Sequence, residues 1–437
     1  MNILIAAHAF PPTHSSGAER RAQRMANWLA ENGHKVTVFA VEELYEPGFR
    51  VEITHDPYPI HRLHYDARQG DYFKNLYDYP ALGEAFRNIL ENNDFDLVHI
   101  VSGYLLGGQV IHSAHQYGLP VVITLTEYWF MCMRLNLMHA DGSLCSGPES
   151  DAKCARCLLE TYQRYRLPSQ IAPGIMDVFW NTIGNATIAR PMTEALRQRR
   201  QTLQAALDAV EMVVCPSNFL KDIFNAYGFD TSQYIQMRQG LQPPPSDVLR
   251  QPRSKPDDRL RLGYIGQIKY HKGVDLLIDA VIRLLDAGHK VSLDLWGSEA
   301  EEKQYVERLK ARSEPYPTIR WKGRYTGSKV WDVLADMDML VMPSRWYENS
   351  PNVILEAYEM GLPVIATRLG GMAELIEHER SGLLFTLNDA DDLYNQIARV
   401  LHEPDLLPQL QSHIPEVKTI DQEMQELVGH YHTLLQS

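Results

Sequence analysis

Short, almost unbroken apolar runs alternate with amphipathic stretches along the whole chain, and that alternation admits few folds. The runs NILIAA (2–7), KVTVFA (35–40), DLVHIV (96–101) and VVITL (121–125) have the composition of parallel strands buried on both faces. Between the first two, Ala22, Met25 and Leu29 mark one face of a helix that stops at Gly33, so the chain opens with a βαβ unit. A stretch rich in Pro, Ser and charge, Gln242 to Arg259, then interrupts the pattern. Beyond it a second series begins with LRLGYIG, VSLDLWG, TIRWKG, DMLVMP, PVIAT and GLLF, separated by helical patterns. Both halves read as doubly wound α/β domains, whose ligands bind at the carboxyl ends of the strands.

The length of 437 residues agrees, since a single core stops growing well below it. The expected division is a first domain over 1–245, a second over 246–412, and a closing helical segment over 413–437 that returns to the first domain. Residues 128–205 fit the alternation poorly and read as an insertion rich in Cys, Trp and Arg.

A net charge of −13 argues against a nucleic-acid partner. The opening MNILIAAHAF reads as a strand, not as a secretory signal, and no run of eighteen apolar residues is present. A cytoplasmic protein is expected, with a peripheral contact at the inner face of a membrane as a sharper reading. That reading rests on Arg197, Arg199 and Arg200 with the nearby IMDVFW (175–180), against the plainer one of a solvated helix face. Cys132, Cys145, Cys154 and Cys157 include one CxxC and are open to three readings: a structural zinc site, free thiols, or disulfides formed on oxidation.

The stretch RWYENSPNVILEAYEMGLPVIAT (345–367) carries the most chemistry. Ser350 suits an N-cap, Pro351 the first helical position and Gly361 the left-handed C-terminal position, so a helix is expected over 351–360. The first amides, of Asn352, Val353 and Ile354, would lack intrahelical acceptors and can take a phosphate. Glu348 lies before that site and Glu356 one turn inside it. Carboxylates on both sides of a phosphate site suit a ligand with hydroxyls on both sides of a diphosphate, which is the layout of a nucleotide-sugar.

The Glu348/Glu356 spacing, followed by GLPVIAT and LGGMAELI, resembles the donor-site signature of the retaining glycosyltransferases of family 4. FPPTHSSGAER, CPSNFL at 215, GYIGQIKYHKGVDLL at 263 and SGLLF extend the resemblance over most of the chain. It implies a GT-B architecture, two Rossmann-like domains facing across a cleft. It implies a UDP- or GDP-linked sugar donor, a saccharide or lipid-linked acceptor, and no cofactor for catalysis.

By position, the resemblance assigns Glu356 to the ribose, Glu348 to the transferred sugar and Lys272 to the diphosphate. Gly266 and Gln267 stand in the diphosphate loop, with Gln267 where many members carry Arg. Gly323, Arg324 and Tyr325 match the loop that meets the base. His14, Ser16 and Gly17 belong to the loop after the first strand, which closes over diphosphate and acceptor, and His8 shares that loop. Thr126 and Glu127 occupy the place of a His-Asp pair, and Glu127 is assigned to orienting the acceptor hydroxyl. Two other readings share the motifs: a sugar-nucleotide epimerase of the same two-lobed fold, and a nucleotide-sugar binding protein without turnover.

Overall fold

The computed structural model describes residues 1–13, 16–43, 45–245, 259–325 and 329–436, without the side chains at 43, 46 and 47. His14 and most of the Pro/Ser-rich stretch, 246–258, lie outside the described residues. The chain forms two compact units, Met1–Arg238 with Asp421–Ser437, and Gln239–Ile420.

The first unit is built on β1 (Asn2–Ala7), β2 (Lys35–Glu43), β3 (Tyr45–Thr54), β4 (Ile60–Asp66), β5 (Leu97–Val101), β6 (Val121–Thr124), β7 (Met212–Cys215) and β8 (Tyr234–Gln236). Their order in the sheet is β3-β4-β2-β1-β5-β6-β7-β8. All neighbours are parallel except β3, which returns antiparallel on β4 as an edge hairpin. The helix Gly17–Glu31 buries Ala22, Met25, Ala26 and Leu29, and Gly33 follows it at φ +83°. The winding reverses between β1 and β5, so the loops after these two strands open a crevice at the carboxyl edge.

Residues 128–205 carry helices and one isolated bridge, Met138 to Leu144. Their core is small: Ala155, Leu159, Trp180, Ala189 and Leu196.

The second unit contains β9 (Leu260–Ile265), β10 (Val291–Trp296), β11 (Ile319–Gly323), β12 (Met339–Met342), β13 (Val364–Thr367) and β14 (Gly382–Phe385). The order is β11-β10-β9-β12-β13-β14, all parallel, reversing between β9 and β12. Alternate residues serve opposite cores. Val341, Ile365 and Leu383 pack with helix Val274–Asp286, whereas Leu340, Met342, Val364 and Leu384 pack with helix Asn352–Glu359. Burial on both faces explains why these strands read as continuous apolar runs.

The division falls before the expected 245/246 because Gln239 to Leu241 are already bonded into the second unit. The Leu241 amide donates to the Lys418 carbonyl at 2.8 Å, and the Ile420 amide returns to the Leu241 carbonyl at 2.9 Å. The same pairing holds residues up to Ile420 in the second unit, beyond the expected 413. Only then does helix Ile420–Gln436 join the first unit. Buried Arg21 donates to Glu423 at 2.6 Å, Trp28 Nε1 to Asp421 at 2.6 Å, and the Tyr431 hydroxyl meets His99 Nδ1 inside the core. His99 lies in β5, and burial depresses its imidazole to about 3.

Candidate active site

The helix after β12 runs over Asn352–Glu359 and begins one residue later than expected. Pro351, with φ −69° and ψ 118°, is extended and takes the cap position. Ser350 therefore does not cap: its Oγ is buried without a hydrogen-bond partner among the described residues. No side chain caps the helix; Gln239 instead ties down the segment before it, donating its Nε2 to the Ser350 carbonyl at 2.7 Å and to the Asn352 side-chain oxygen. The Ile354 amide donates to the Pro351 carbonyl at 3.1 Å. The expected set of free amides is thus reduced to Asn352 and Val353. Glu356 sits half-buried one turn inside, and Gly361 takes φ +73° as its position requires.

The loop before this helix is fixed from several sides. Arg345 grips Asp275 through two bonds of 2.6 and 2.8 Å, and reaches Asn388 at 2.7 Å. The Gly371 amide donates to the Glu348 carbonyl at 2.7 Å, and a Cβ on Gly371 would stand 1.6 Å from the Asn349 carbonyl oxygen. The second glycine of LGGMAELI is there because two backbones touch.

Glu348, 7% exposed, accepts from Lys272 Nζ at 2.6 Å and from Ser344 Oγ at 2.9 Å. Burial pushes its carboxyl up, but the Lys272 charge and the bonds from Lys272 and Ser344 outweigh that and hold it below the ordinary value. Lys272 ends a short 3₁₀ turn, Tyr270–Lys272, with its Nζ 4.7 Å from the centre of the Trp346 ring. Gly273 follows at φ +69°, where a Cβ would lie 1.9 Å from the Pro343 carbonyl oxygen. Only glycine lets the start of helix Val274–Asp286 press so closely on the end of β12. Lys272 and Glu348 thereby meet between β9 and β12, at the switch point of the second sheet.

The remaining expected donor residues line the neighbouring strand ends. The Gly266 amide donates to the Trp296 carbonyl at 2.9 Å, and Gly297 packs against the Gly266 carbonyl, where a Cβ would stand at 1.7 Å. Exposed Gln267 reaches Glu301 at 3.4 Å. Arg324, past Gly323 at φ +70°, donates to Ser298 Oγ at 2.6 Å, and Tyr325 stands edge-on to Trp296.

The first unit has its own strand-end cluster. Ser16 caps no amide; its hydroxyl bonds Glu19, which also pairs with His8 Nε2 at 3.1 Å. Burial works against ionisation of Glu19, yet the His8 and Ser16 bonds bring it down to about 2. Gly17 is not strained; nothing stands within 4 Å of where its Cβ would be, so the helix start is open there. Glu127 accepts from Ser102 Oγ at 2.8 Å and from the Trp129 amide, and burial raises its carboxyl. Thr126 Oγ1 is enclosed with no partner among the described residues. Beside this cluster, Phe10, Asn27, Asp56, Tyr58, Arg62 and His64 line an open cavity of about 740 Å³.

A model of the family described as glycosyl transferase 4-like domain matches residues 16–237, and one described as glycosyl transferases group 1 matches 259–403. Those two matches take in most of both units. The chain is a family 4 glycosyltransferase of the GT-B fold. It is 24% identical over 411 residues to a GDP-mannose-dependent alpha-mannosyltransferase of Mycobacterium tuberculosis, covering 92% of this chain and 89% of that one. An uncharacterized glycosyltransferase of Methanocaldococcus jannaschii is 29% identical over 147 residues, 34% of this chain and 37% of that relative's length. Among solved structures, sucrose-phosphate synthase of Thermosynechococcus elongatus superposes with TM-score 0.66 at 17% identity, covering 99% of each chain. Anabaena HepE in complex with UDP and glucose superposes with TM-score 0.65 at 15% identity, covering 99% of this chain and 100% of that one.

In this glycosyltransferase, sequence reasoning singled out Lys272 and Glu348 but treated them as separate contacts. It missed Arg345 and Asp275, although both lie within the quoted stretches. A charge of one sign in the loop before one helix and one of the other sign in the first turn of another were the available signal. Glu19 and Ser102 also escaped notice.

The Arg197–Arg200 segment is a solvated face only in part: Arg197 and Arg200 stay about half exposed, but Arg199 is enclosed. Arg199 is 2% exposed, donates to the Trp129 carbonyl and lies 4.2 Å from the centre of that ring, while Arg197 and Arg200 both pair with Asp151. The four clustered cysteines form no disulfide and line one cavity of about 40 Å³ with His139. The Gly147 amide donates to Cys145 Sγ at 3.3 Å, and His139 hydrogen-bonds Cys145 and Cys157, which raises its imidazole to about 10. Among the described residues no three His, Cys, Asp or Glu side chains are grouped to hold a metal ion. No helix among them is long and apolar enough to cross a membrane.

Proposed function

We propose that this glycosyltransferase moves a hexose from a nucleoside-diphosphate sugar to a free or lipid-linked saccharide, with retention at the anomeric carbon and without a metal cofactor. The single observation that carries the reading is the Lys272–Glu348 pair at the β9/β12 switch point, next to the open first turn of helix Asn352–Glu359. An ammonium has three donors, so Lys272 can keep its bond to Glu348 and still serve a diphosphate. The Asn352 and Val353 amides add the helix-terminal partial charge. Glu348 would then face the sugar hydroxyls and Glu356 the ribose.

In the transfer, the bond from the anomeric carbon to the diphosphate oxygen breaks and a bond to the acceptor oxygen forms on the same face. The acceptor proton passes to the departing phosphate oxygen, so no His is needed where Thr126 stands. Lys272 stabilises the charge that develops on the leaving group. Glu127, Ser16 and the cavity of about 740 Å³ are assigned to the acceptor. The M. tuberculosis relative is named for GDP-mannose and HepE was solved with UDP, so both nucleotides enter the screen.

The reading is tested by assaying sugar nucleotides with wild type, Glu348→Gln and Lys272→Ala, and by assigning the product anomer by NMR. Transfer by wild type that both variants lose supports it. A wild type that neither transfers nor hydrolyses any donor, and binds no nucleoside diphosphate, ends it.

A further inference from the structure

The first unit carries an apolar surface that its own core does not use. Helices Gln163–Ile171 and Pro173–Phe179 pack on each other and run into a π-helical turn, Trp180–Gly184. Their inner side is anchored. Met176, Phe179 and fully buried Trp180 join the cluster around Ala155 and Leu196, and Asp177 is tied to Arg156 at 2.7 Å. The outer side presents Ile171, Ile175, Val178 and Ile183 at 81%, 73%, 63% and 60% exposure. Side chains this open stand proud of the surface and do not line a groove. Contiguous exposed apolar surface marks an interaction site.

The charges beside it are one-sided. Between Glu160 and Glu194, which are paired with Arg156 and Arg197, lie three arginines, Arg164, Arg166 and Arg190, and one aspartate, in a chain of net charge −13. Arg164 stacks on Tyr162 and Tyr165, and Arg166 and Arg190 have no acidic partner within ion-pair distance among the described residues. The one aspartate, Asp177, is paired with Arg156, which it shares with Glu160.

We infer that this outer face, Leu167 to Ile183 with Arg164, Arg166 and Arg190, docks the first unit on an anionic lipid surface. Protruding isoleucines with arginines at their flanks suit insertion among headgroups, where the apolar tips leave water and the guanidinium groups meet phosphate. A second copy of the chain fits less well, because it would set three arginines against three. The basic patch is not the Arg197–Arg200 cluster, whose charges are spent internally.

The test is co-sedimentation of the full chain with vesicles of phosphatidylcholine, and of phosphatidylcholine mixed with phosphatidylglycerol. No donor or turnover enters this measurement, so its failure is separate from failure of the proposed transfer. Wild type should bind the mixed vesicles, and salt should weaken the binding. Ile171→Ser/Ile175→Ser/Val178→Ser should weaken it by about tenfold or more, and Arg166→Glu/Arg190→Glu by a similar factor. All of these positions are exposed except half-buried Arg166, and both variants should keep the wild-type melting temperature. The control Val51→Ser/Ile53→Ser, on exposed positions of β3, should bind as wild type does. The inference is overturned if wild type stays in the supernatant with both vesicles, or if the triple variant sediments as wild type does. It is also overturned if wild type forms dimers in solution that the triple variant cannot form.

Discussion

Each unit places a glutamate in a strand-end loop, Glu348 buried at the β9/β12 switch point and Glu127 half-buried after β6, and the two are kept in opposite ways. Glu348, in the second unit, is bonded directly to an ammonium and held below its ordinary range. Glu127, in the first, receives a hydroxyl and an amide, and burial raises it. The lesson is a division of labour. A strand-end site that must meet a diphosphate keeps a fixed positive charge in place, and its acid is there partly to hold that charge. Glu127, which the proposed function sets against neutral hydroxyls, is carried mainly by a hydroxyl and an amide, with His8 and Arg199 as weaker influences.

Breaking the charged member should have the largest effect. Lys272→Ala leaves Glu348 buried without its counter-charge, and should cost about 3 kcal/mol of stability. It should also cost about 10²-fold or more in kcat, read by denaturant unfolding and by initial rates. Next comes the backbone that brings the pair together. Gly273→Ala puts a Cβ against the Pro343 carbonyl at a left-handed φ, so about 1–3 kcal/mol should be lost, with a raised donor KM.

The comparison is sharpened by pH. Glu348 has a depressed carboxyl, so the stability it contributes is present above the ordinary value of 4.5 and is lost as pH falls through its folded value. Glu348→Gln should therefore destabilise the protein at pH 7 and progressively less in acid. Glu127 has the opposite sign: its unfolded form ionises first, so its burial costs stability as pH rises from 4.5 through its folded value. Glu127→Gln should stabilise at pH 7 and change little at pH 4, as thermal melts at both pH values would report. Equal responses of the two variants would erase the distinction between the units. The smallest effect should come from Gln267→Arg, an exposed position, which should tighten nucleoside-diphosphate binding about threefold by calorimetry.

The parallel sheets were legible because strands buried on both faces leave continuous apolar runs, and the order of helix and strand then restricts the winding. The helix after β12 was legible to one residue; the error at Ser350 arose because Pro351 adopts an extended ψ and itself takes the cap position, with Ser350 held by its carbonyl to Gln239 from far along the chain. The edge hairpin β3–β4 was not read, since Tyr45, Phe49, Val51 and Ile53 face solvent and break the inside-outside rule. The Lys272–Glu348 bond could not be read from spacing. It depends on β12 lying beside β9 while β10 and β11 lie on its other side, which is a property of the sheet order. Arg199 misled for a related reason: its neighbours in sequence are surface arginines, but its contact is Trp129, brought to it by packing.

The central claim is that Lys272, at the switch point of the second sheet, holds a nucleoside diphosphate. Thermal melting of wild type and Lys272→Ala, each with UDP and with GDP, tests it most directly, because a ligand that binds only the folded state raises the melting temperature. The account predicts that one of the two nucleotides raises the melting temperature of wild type and leaves that of Lys272→Ala where it was. An equal rise in both proteins, or no rise in wild type with either nucleotide, would contradict it.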